Sequence, residues 1–195
     1  LEESLRQLHY PNLHQDLHQL QSEVTPARLR LVLEELIAHQ LTFKHAKQQN
    51  QRLPAPVLAI KKNLEQALIE NLPFQLTKAQ QRVWQEVATD LATPLPMVRM
   101  VQGDVGSGKT VLAALAACRA VDHGCQVAVL APTEILAEQH FHNFSHWLEP
   151  LGIRVTWLTG KQKAQIKRQS MAAITSGEGQ VIIGTHALFQ EAVEY

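Results

Sequence analysis

The segment from residue 103 to residue 110 constrains the fold of this chain more than any other. It reads Gly-Asp-Val-Gly-Ser-Gly-Lys-Thr, follows a β-prone run at 98–102 and precedes a helix-forming run that begins at Val111. This strand–loop–helix order is typical of a phosphate-binding P-loop. Its glycines let the backbone wrap closely around a phosphate, and the helix N-terminus adds a positive dipole end. The segment therefore predicts an α/β protein with a nucleoside triphosphate site.

The loop residues have separate predicted roles at that site. Backbone N–H groups from Val105 to Thr110 would form an anion nest. Lys109 would place its charge on the β- and γ-phosphates, and Thr110 would give its hydroxyl to Mg²⁺, which makes these two the candidate catalytic residues. The predicted nucleotide-binding residues of the loop are Gly103, Asp104, Val105, Gly106, Ser107, Gly108, Lys109 and Thr110.

The hydrophobic pattern changes character near residue 75. Before it the periodicity is helical, and Thr25 followed by Pro26 predicts the capped start of a long helix that reaches about residue 48. After it, short apolar runs alternate with helical segments, which favours right-handed βαβ crossovers and a parallel sheet covered by helices. The other predicted helices are 13–21, 60–70 and one from Thr77 to about 91. A helix-breaking stretch at 50–56 is predicted to be a linker. The predicted strands are 97–102, 126–131, 153–158 and 180–184.

Polar, turn-prone residues follow every predicted strand. Ligands bind at the carboxyl ends of strands in such sheets, and hydroxyls and helix N–H groups there suit a nucleic-acid backbone. The spacing alone leaves ordinary helix capping as an equal alternative. Five basic residues and no acidic ones between 151 and 177 favour the nucleic-acid interpretation. The candidate DNA-binding residues are Thr133, Thr159, Gly160, Lys161, Thr185 and His186.

Composition adds the cellular setting. Lys plus Arg and Asp plus Glu number 18 each, so net charge does not identify a partner. The two cysteines, Cys118 and Cys125, lie in apolar stretches without ligand spacing, which indicates reduced core residues in a cytoplasmic protein. No apolar run has the ~18 residues that a bilayer crossing needs, so we expect no membrane partner.

Hydrolysis by a P-loop enzyme also needs a carboxylate at the end of another strand. None of the four apolar runs ends in Asp-Glu, and Asp104 lies inside the loop itself. We therefore expect these 195 residues by themselves to bind nucleotide weakly and to hydrolyse none at a useful rate. On the residues alone, a P-loop kinase and a non-enzymatic module ordered by nucleotide remain alternatives.

Residues 74–190 resemble the first motor domain of superfamily 2 DNA helicases, and within them the RecG-type branch-migration helicases. The segment Phe-Gln-Leu-Thr-Lys-Ala-Gln at 74–80 resembles their adenine-recognising segment, which implies that Phe74, Thr77 and Gln80 contribute to the nucleotide site, with Gln80 reading adenine. The P-loop matches theirs. The segments 131–139, 157–161 and 184–188 match motifs on the DNA side. The transcription-repair coupling translocases share the P-loop but lack the pattern at 157–161, so they rank second.

This resemblance implies a RecA-like parallel sheet with flanking helices, incomplete in these residues and preceded by an all-helical segment. It divides the chain into 1–72, a helical linker between a DNA-splitting wedge and the motor, and 73–195, the N-terminal part of the first motor domain. It implies an ATP- and Mg²⁺-dependent helicase that remodels forks and Holliday junctions in recombination and repair, and acts as a monomer. The family's Asp-Glu box, wedge and second motor domain have no counterpart in these residues, so the implied activity belongs to the parent protein.

Overall fold

The computed structural model describes residues 1–10, 25–50, 53–59, 61, 64–160 and 162–189. The chain divides into two compact units, 1–54 and 55–195. The predicted helix 13–21 and the candidate DNA contact Lys161 lie outside the described residues. Among the described helices, none combines the length and apolar character that a bilayer crossing requires.

The first unit contains two described helices. Helix α1 spans Glu2–His9 and packs against α2, which spans Pro26–Asn50. The predicted start of α2 is confirmed, since Arg28 N–H donates to Thr25 Oγ1 at 3.3 Å. The apolar stripe of α2, from Leu29 to Leu41, remains about half exposed.

The second unit is an α/β sandwich, as predicted. It contains α3 (Leu64–Asn71), α4 (Lys78–Leu91), α5 (Lys109–Asp122), β1 (Val127–Leu130), α6 (Glu134–Leu148), β2 (Val155–Leu158), α7 (Ala164–Thr175) and β3 (Val181–Gly184). A short 3₁₀ helix follows α6 at Glu149–Leu151, and another follows β3 at His186–Phe189.

The three strands form a parallel sheet in the order β1-β3-β2. Alternate residues of β3 enter different cores: Val181 and Ile183 join the larger core with α5 and α6, whereas Ile182 joins a smaller core with Ile174 of α7. Because both faces are covered, all four residues of β3 are buried, as the unbroken apolar run suggests for a central parallel strand.

The prediction of a strand at 97–102 is wrong. The segment is extended but joins no ladder among the described residues, and Met100 is 88% exposed. A β-prone sequence becomes a strand only where a neighbour supplies hydrogen bonds, and no described strand does so here. The segment is held instead by Arg99, whose guanidinium contacts Glu86 and Asp90 of α4 at 2.7 Å each. These two carboxylates, Asp90 foremost, raise the pKa of Arg99 above its ordinary value.

Candidate nucleotide site and nucleic-acid edge

The P-loop connects the 97–102 segment to helix α5. Its turn requires glycine at two positions, since Gly106 has φ +82° and Gly108 has φ +80°, values that side chains with a Cβ rarely adopt. The loop closes through a hydrogen bond from Ser107 N–H to Asp104 O at 3.2 Å. Lys109 folds over the turn, and its Nζ donates to the carbonyls of Gly103 and Asp104 at 2.7 Å each.

The loop lies on the carboxyl side of the sheet. Helix α5 packs on β1, and only the residues 123–126 separate the two elements. So short a connection makes α5 run antiparallel to β1, which places the N-terminus of α5, with Lys109 and half-buried Thr110, toward the carboxyl ends of the strands.

Gln80 is bonded to the P-loop and to its own helix at once. Its backbone N–H donates to Thr77 Oγ1 at 3.2 Å and its Oε1 accepts from Thr77 N–H at 2.8 Å, which forms a capping box at the start of α4. Its Nε2 donates to Ser107 O at 2.9 Å. A Cβ on Gly108 would lie 2.2 Å from that same Nε2, so the glycine also makes room for the contact.

Phe74 lies three residues before Thr77 and is 42% exposed. It meets Trp147 of α6 edge to face, with ring centroids 6.5 Å apart. Trp147 packs in turn on Phe144, so α6 holds Phe74 at the surface beside the start of α4.

The predicted strand exits meet at one edge of the sheet. Leu130 and Leu158 are both in register with Gly184, so the segments that follow β1, β2 and β3 leave side by side. Thr133 caps α6, with Oγ1 accepting from Leu136 N–H at 3.3 Å. Thr185 is half-buried and His186 is exposed.

The exit of β2 differs in detail from the prediction. Thr159 is only 3% exposed, whereas Gly160 is exposed. Gln162, which is not among the residues predicted for this edge, shapes the exit: its Oε1 accepts from Thr159 N–H at 3.2 Å and its Nε2 donates to Trp157 O at 3.0 Å. A glutamine three residues after the threonine that follows a predicted strand is the local sequence signal for that contact.

The five basic residues between 151 and 177 form a weaker positive patch than their number suggests. Arg154 pairs with Glu178, which lies just beyond the acid-free stretch. Glu134 and Glu138 line a shallow cavity of about 300 Å³ beside Trp157 and Thr159. The edge therefore carries positive charge mainly around the start of α7, where Lys163, just before the helix, and Arg168, within it, are exposed. Within the described ranges, no group of three or more His, Cys, Asp or Glu side chains is placed to hold a metal ion.

Comparison with known proteins decides the family. The model of the DEAD/DEAH box helicases matches residues 77–194, which include the capping box, the P-loop and all three strands. The chain belongs to the DEAD/DEAH box helicase family. The parallel sheet and its flanking helices thus belong to a DEAD/DEAH box helicase fold.

Curated relatives of this DEAD/DEAH box helicase chain carry the name ATP-dependent DNA helicase RecG. The Escherichia coli K12 protein is 51% identical over 195 residues, which is 100% of this chain and 28% of that protein. The Pasteurella multocida protein is 49% identical over the same share of both chains, and the Aquifex aeolicus protein is 42% identical over 85% of this chain and 21% of its own length. The chain therefore spans about 28% of the length of the first curated relatives that it matches.

A solved structure is similar as well. It is that of RecG bound to a three-way DNA junction, with a TM-score of 0.77 and 39% sequence identity over 87% of this chain and 23% of that one. Resemblance to the RecG-type branch of the DEAD/DEAH box helicases, predicted from the motifs, is confirmed by these comparisons.

Proposed function

We propose that this chain is the ATP-binding part of an ATP-dependent DNA helicase that remodels branched DNA in recombination and repair. The observation that carries the proposal is the P-loop at the start of α5, bonded through Ser107 to the amide of Gln80. Family membership supports ATP as the nucleotide. The relatives' name and the junction-bound neighbour support branched DNA, such as forks and Holliday junctions, as the substrate of the parent protein.

The loop fits a triphosphate with Mg²⁺. Two positive-φ glycines turn its backbone so that N–H groups between Val105 and Thr110 can converge on an anion. Of these, the Ser107 N–H would exchange its present acceptor, Asp104 O, for a phosphate oxygen. Lys109 Nζ already lies across the mouth of the loop on two carbonyls, where a triphosphate would offer it stronger, charged partners. Thr110, at the second position of α5, is the residue assigned to Mg²⁺, which would neutralise phosphate charge.

Gln80 suits adenine because only half of its bonding capacity is used. A glutamine amide has two donor hydrogens and two acceptor lone pairs. Ser107 O takes one donor and Thr77 N–H takes one acceptor. The remaining donor and acceptor match the N7 and N6–H₂ of adenine, whereas guanine presents two acceptors there. Phe74, exposed nearby, offers an apolar surface for the base.

The carboxyl edge of the sheet is the proposed DNA surface. Thr133, Thr185, His186 and Gly160 meet there, and Lys161 is assigned to it from the sequence. The hydroxyl of Thr133 accepts one helix N–H but retains its own hydrogen, which can donate to a phosphate oxygen. Buried Thr159 contributes through its backbone, whose shape Gln162 fixes.

The domain assignment belongs to the same proposal. Residues 1–72 are the helical linker between wedge and motor, and residues 73–195 are the N-terminal part of the first motor domain. We propose that the parent protein is a cytoplasmic monomer, and that this chain alone lacks useful hydrolysis because it contains no Asp-Glu pair.

Binding of ATP is tested with Lys109→Ala in the full-length protein. Titration with a fluorescent ATP analogue and Mg²⁺ should give saturable binding that the substitution weakens at least tenfold, with ATP hydrolysis lost. Lys61→Ala, an exposed lysine in the same unit, is the matched control and should leave both unchanged. Equal nucleotide binding by the two variants contradicts the phosphate assignment.

The DNA substrate is tested by competition. The full-length protein should bind a three-way junction more tightly than a linear duplex of equal length, and should separate the junction's strands only with hydrolysable ATP. Equal affinity for junction and duplex at 150 mM salt, without strand separation, contradicts the branched-DNA proposal. The salt concentration is fixed because phosphate contacts make affinities strongly salt-dependent.

A further inference from the structure

Arg119 holds a buried charge in the interior of the second unit. It lies in the third turn of α5 with 3% of its surface exposed. Its Nε and Nη2 donate to the two carboxylate oxygens of Glu65 in α3, at 2.5 and 2.8 Å. Its Nη1 donates to Ala88 O of α4 at 2.8 Å, and its guanidinium lies 5.1 Å from the ring centre of Trp84. One side chain therefore joins three helices.

Stability alone is a weak reason for such a group. Taking two charges out of water is costly, and buried ion pairs can often be replaced by apolar side chains without loss of stability. What a planar guanidinium adds is direction, because its donors are fixed in one plane and demand partners at set positions. Arg119 is thus suited to fixing how α3 and α4 lie against α5.

The contact with Ala88 fills a gap at the end of α4. The N–H of Ala92 turns to Thr89 O at 3.2 Å rather than back to Ala88, so Arg119 supplies the donor that the Ala88 carbonyl needs at the helix end. The C-terminal part of α4 is thereby bonded to α5.

At the other end of α4, its first turn is bonded to the P-loop that precedes α5. Gln80, in the first turn of α4, donates to Ser107 just before α5 begins. Gln80 and Ala88 are eight residues apart, a separation of about 12 Å along the helix. These two bonds fix α4 against α5 at both ends. If the bond at Ala88 is lost, the helix can tilt, and Gln80 then moves relative to the P-loop.

We propose that Arg119 is a positioning residue that sets the place of Gln80 over the P-loop and thereby the preference of the site for adenine over guanine. The inference rests on the proposed function, in which Gln80 reads adenine beside a P-loop that holds the phosphates. Arg119 itself touches no nucleotide and acts only through α4.

The test is the ratio of ATP to GTP affinity in the full-length protein, measured with fluorescent analogues of each. Arg119→Lys keeps the charge but loses the paired hydrogen bonds of the guanidinium to Glu65. It should lower the ratio by roughly fivefold or more, the range of an ordinary coupling between sites. Gln80→Ala is the reference and should lower it at least as far. Arg82→Lys makes the same chemical change at an exposed arginine of α4 and should leave the ratio unchanged.

A double-mutant cycle shows whether Arg119 acts through Gln80. In the Gln80→Ala background, Arg119→Lys should have no further effect on the ratio. A merely structural role would lower the melting temperature and both affinities together, with the ratio intact. If Arg119→Lys does not fold, Glu65→Gln keeps the arginine but weakens its paired hydrogen bonds to residue 65. This variant should also lower the ratio.

The outcomes separate the inference from the function on which it rests. If Gln80→Ala lowers the ratio but Arg119→Lys and Glu65→Gln leave it at the wild-type value, the positioning role is wrong and the adenine assignment stands. If the two effects add fully, Arg119 acts by another route and the inference is equally wrong. If Gln80→Ala itself leaves the ratio unchanged, the adenine assignment fails and the inference fails with it.

Discussion

Gly184, the last residue of the central strand, lies so close to Leu158 of the neighbouring strand that a Cβ on Gly184 would be 2.0 Å from the Leu158 carbonyl oxygen. Both residues also mark where the candidate DNA edge begins, since β2 and β3 end there in register. The same close approach that brings the two exits together therefore requires glycine.

Replacing Gly184 with Ala should destabilise the chain by at least about 2 kcal/mol, because a backbone oxygen in a sheet can move away only by breaking the ladder. Urea unfolding followed by circular dichroism measures the change. Gly160→Ala is the control, since a Cβ there would have no atom within 4 Å. Equal stability of the two variants would show that β2 and β3 separate more easily than this geometry implies.

Replacing Gly108 with Ala should remove nucleotide binding. The residue has φ +80°, and its Cβ would lie 2.2 Å from Gln80 Nε2. Gly124→Ala provides a matched control, because Gly124 has φ +74° but has open space around it. Both variants should lose stability by about 1–2 kcal/mol from left-handed strain. Only Gly108→Ala should abolish binding of the fluorescent ATP analogue when the full-length protein is titrated. Loss of binding in both would trace the effect to strain alone.

The stability of the chain should fall with pH above 9 partly through Cys118. Burial raises the pKa of this thiol from 9.0 to about 12. The unfolded thiol ionises first as pH rises, so the stabilisation is complete below pH 9 and is lost between 9 and about 12, by at most about 1.4 kcal/mol per pH unit. The measurement is the free energy of unfolding of the wild type and of Cys118→Ala at several pH values.

The difference between those two proteins isolates the thiol from other groups that titrate in the same range. Their stabilities should converge as pH rises from 9 to 11. Parallel curves would contradict the shifted pKa. As an independent check, Cys118 should resist alkylation at pH 8 until the protein is unfolded.

Thr133 should contribute to both stability and DNA affinity. Thr133→Ala removes the α6 cap and should cost about 1 kcal/mol of stability, whereas Thr133→Ser keeps the hydroxyl and should cost little. In the full-length protein the alanine variant should also bind junction DNA more weakly, with the slope of affinity against salt unchanged, because no cation is lost. If Thr133→Ala binds junction DNA as tightly as the wild type, Thr133 only caps α6 and does not contact DNA.

Local chemistry accounts for much of what was predictable. The P-loop, the Thr25 and Thr77 helix starts and the three confirmed strands all depend on residues within a few positions of one another. The capping box at Thr77 and Gln80 was readable in the same way from its spacing of three residues. The strand exits followed from a general rule for parallel sheets, and the structure brings three of them to one edge.

What the local pattern lacked was the identity of distant partners. The 97–102 segment has the composition of a strand, but pairing depends on a neighbour from elsewhere in the chain. Glu65 and Arg119 are 54 residues apart, and neither has a sequence neighbour that signals the other. The burial of Thr159 likewise depends on how α6 and α7 flank the end of β2.

The sequence by itself determined that a glycine-rich turn of P-loop pattern precedes a helix in this chain and that its motifs are those of a helicase, because glycine positions, caps and motif spacing act over short distances along the backbone. Only the tertiary structure decided that Gln80 is bonded to the P-loop, that Arg119 ties three helices together and that Gly184 admits no side chain. These contacts depend on the packing of elements far apart in sequence, where a small displacement separates a hydrogen bond from a clash.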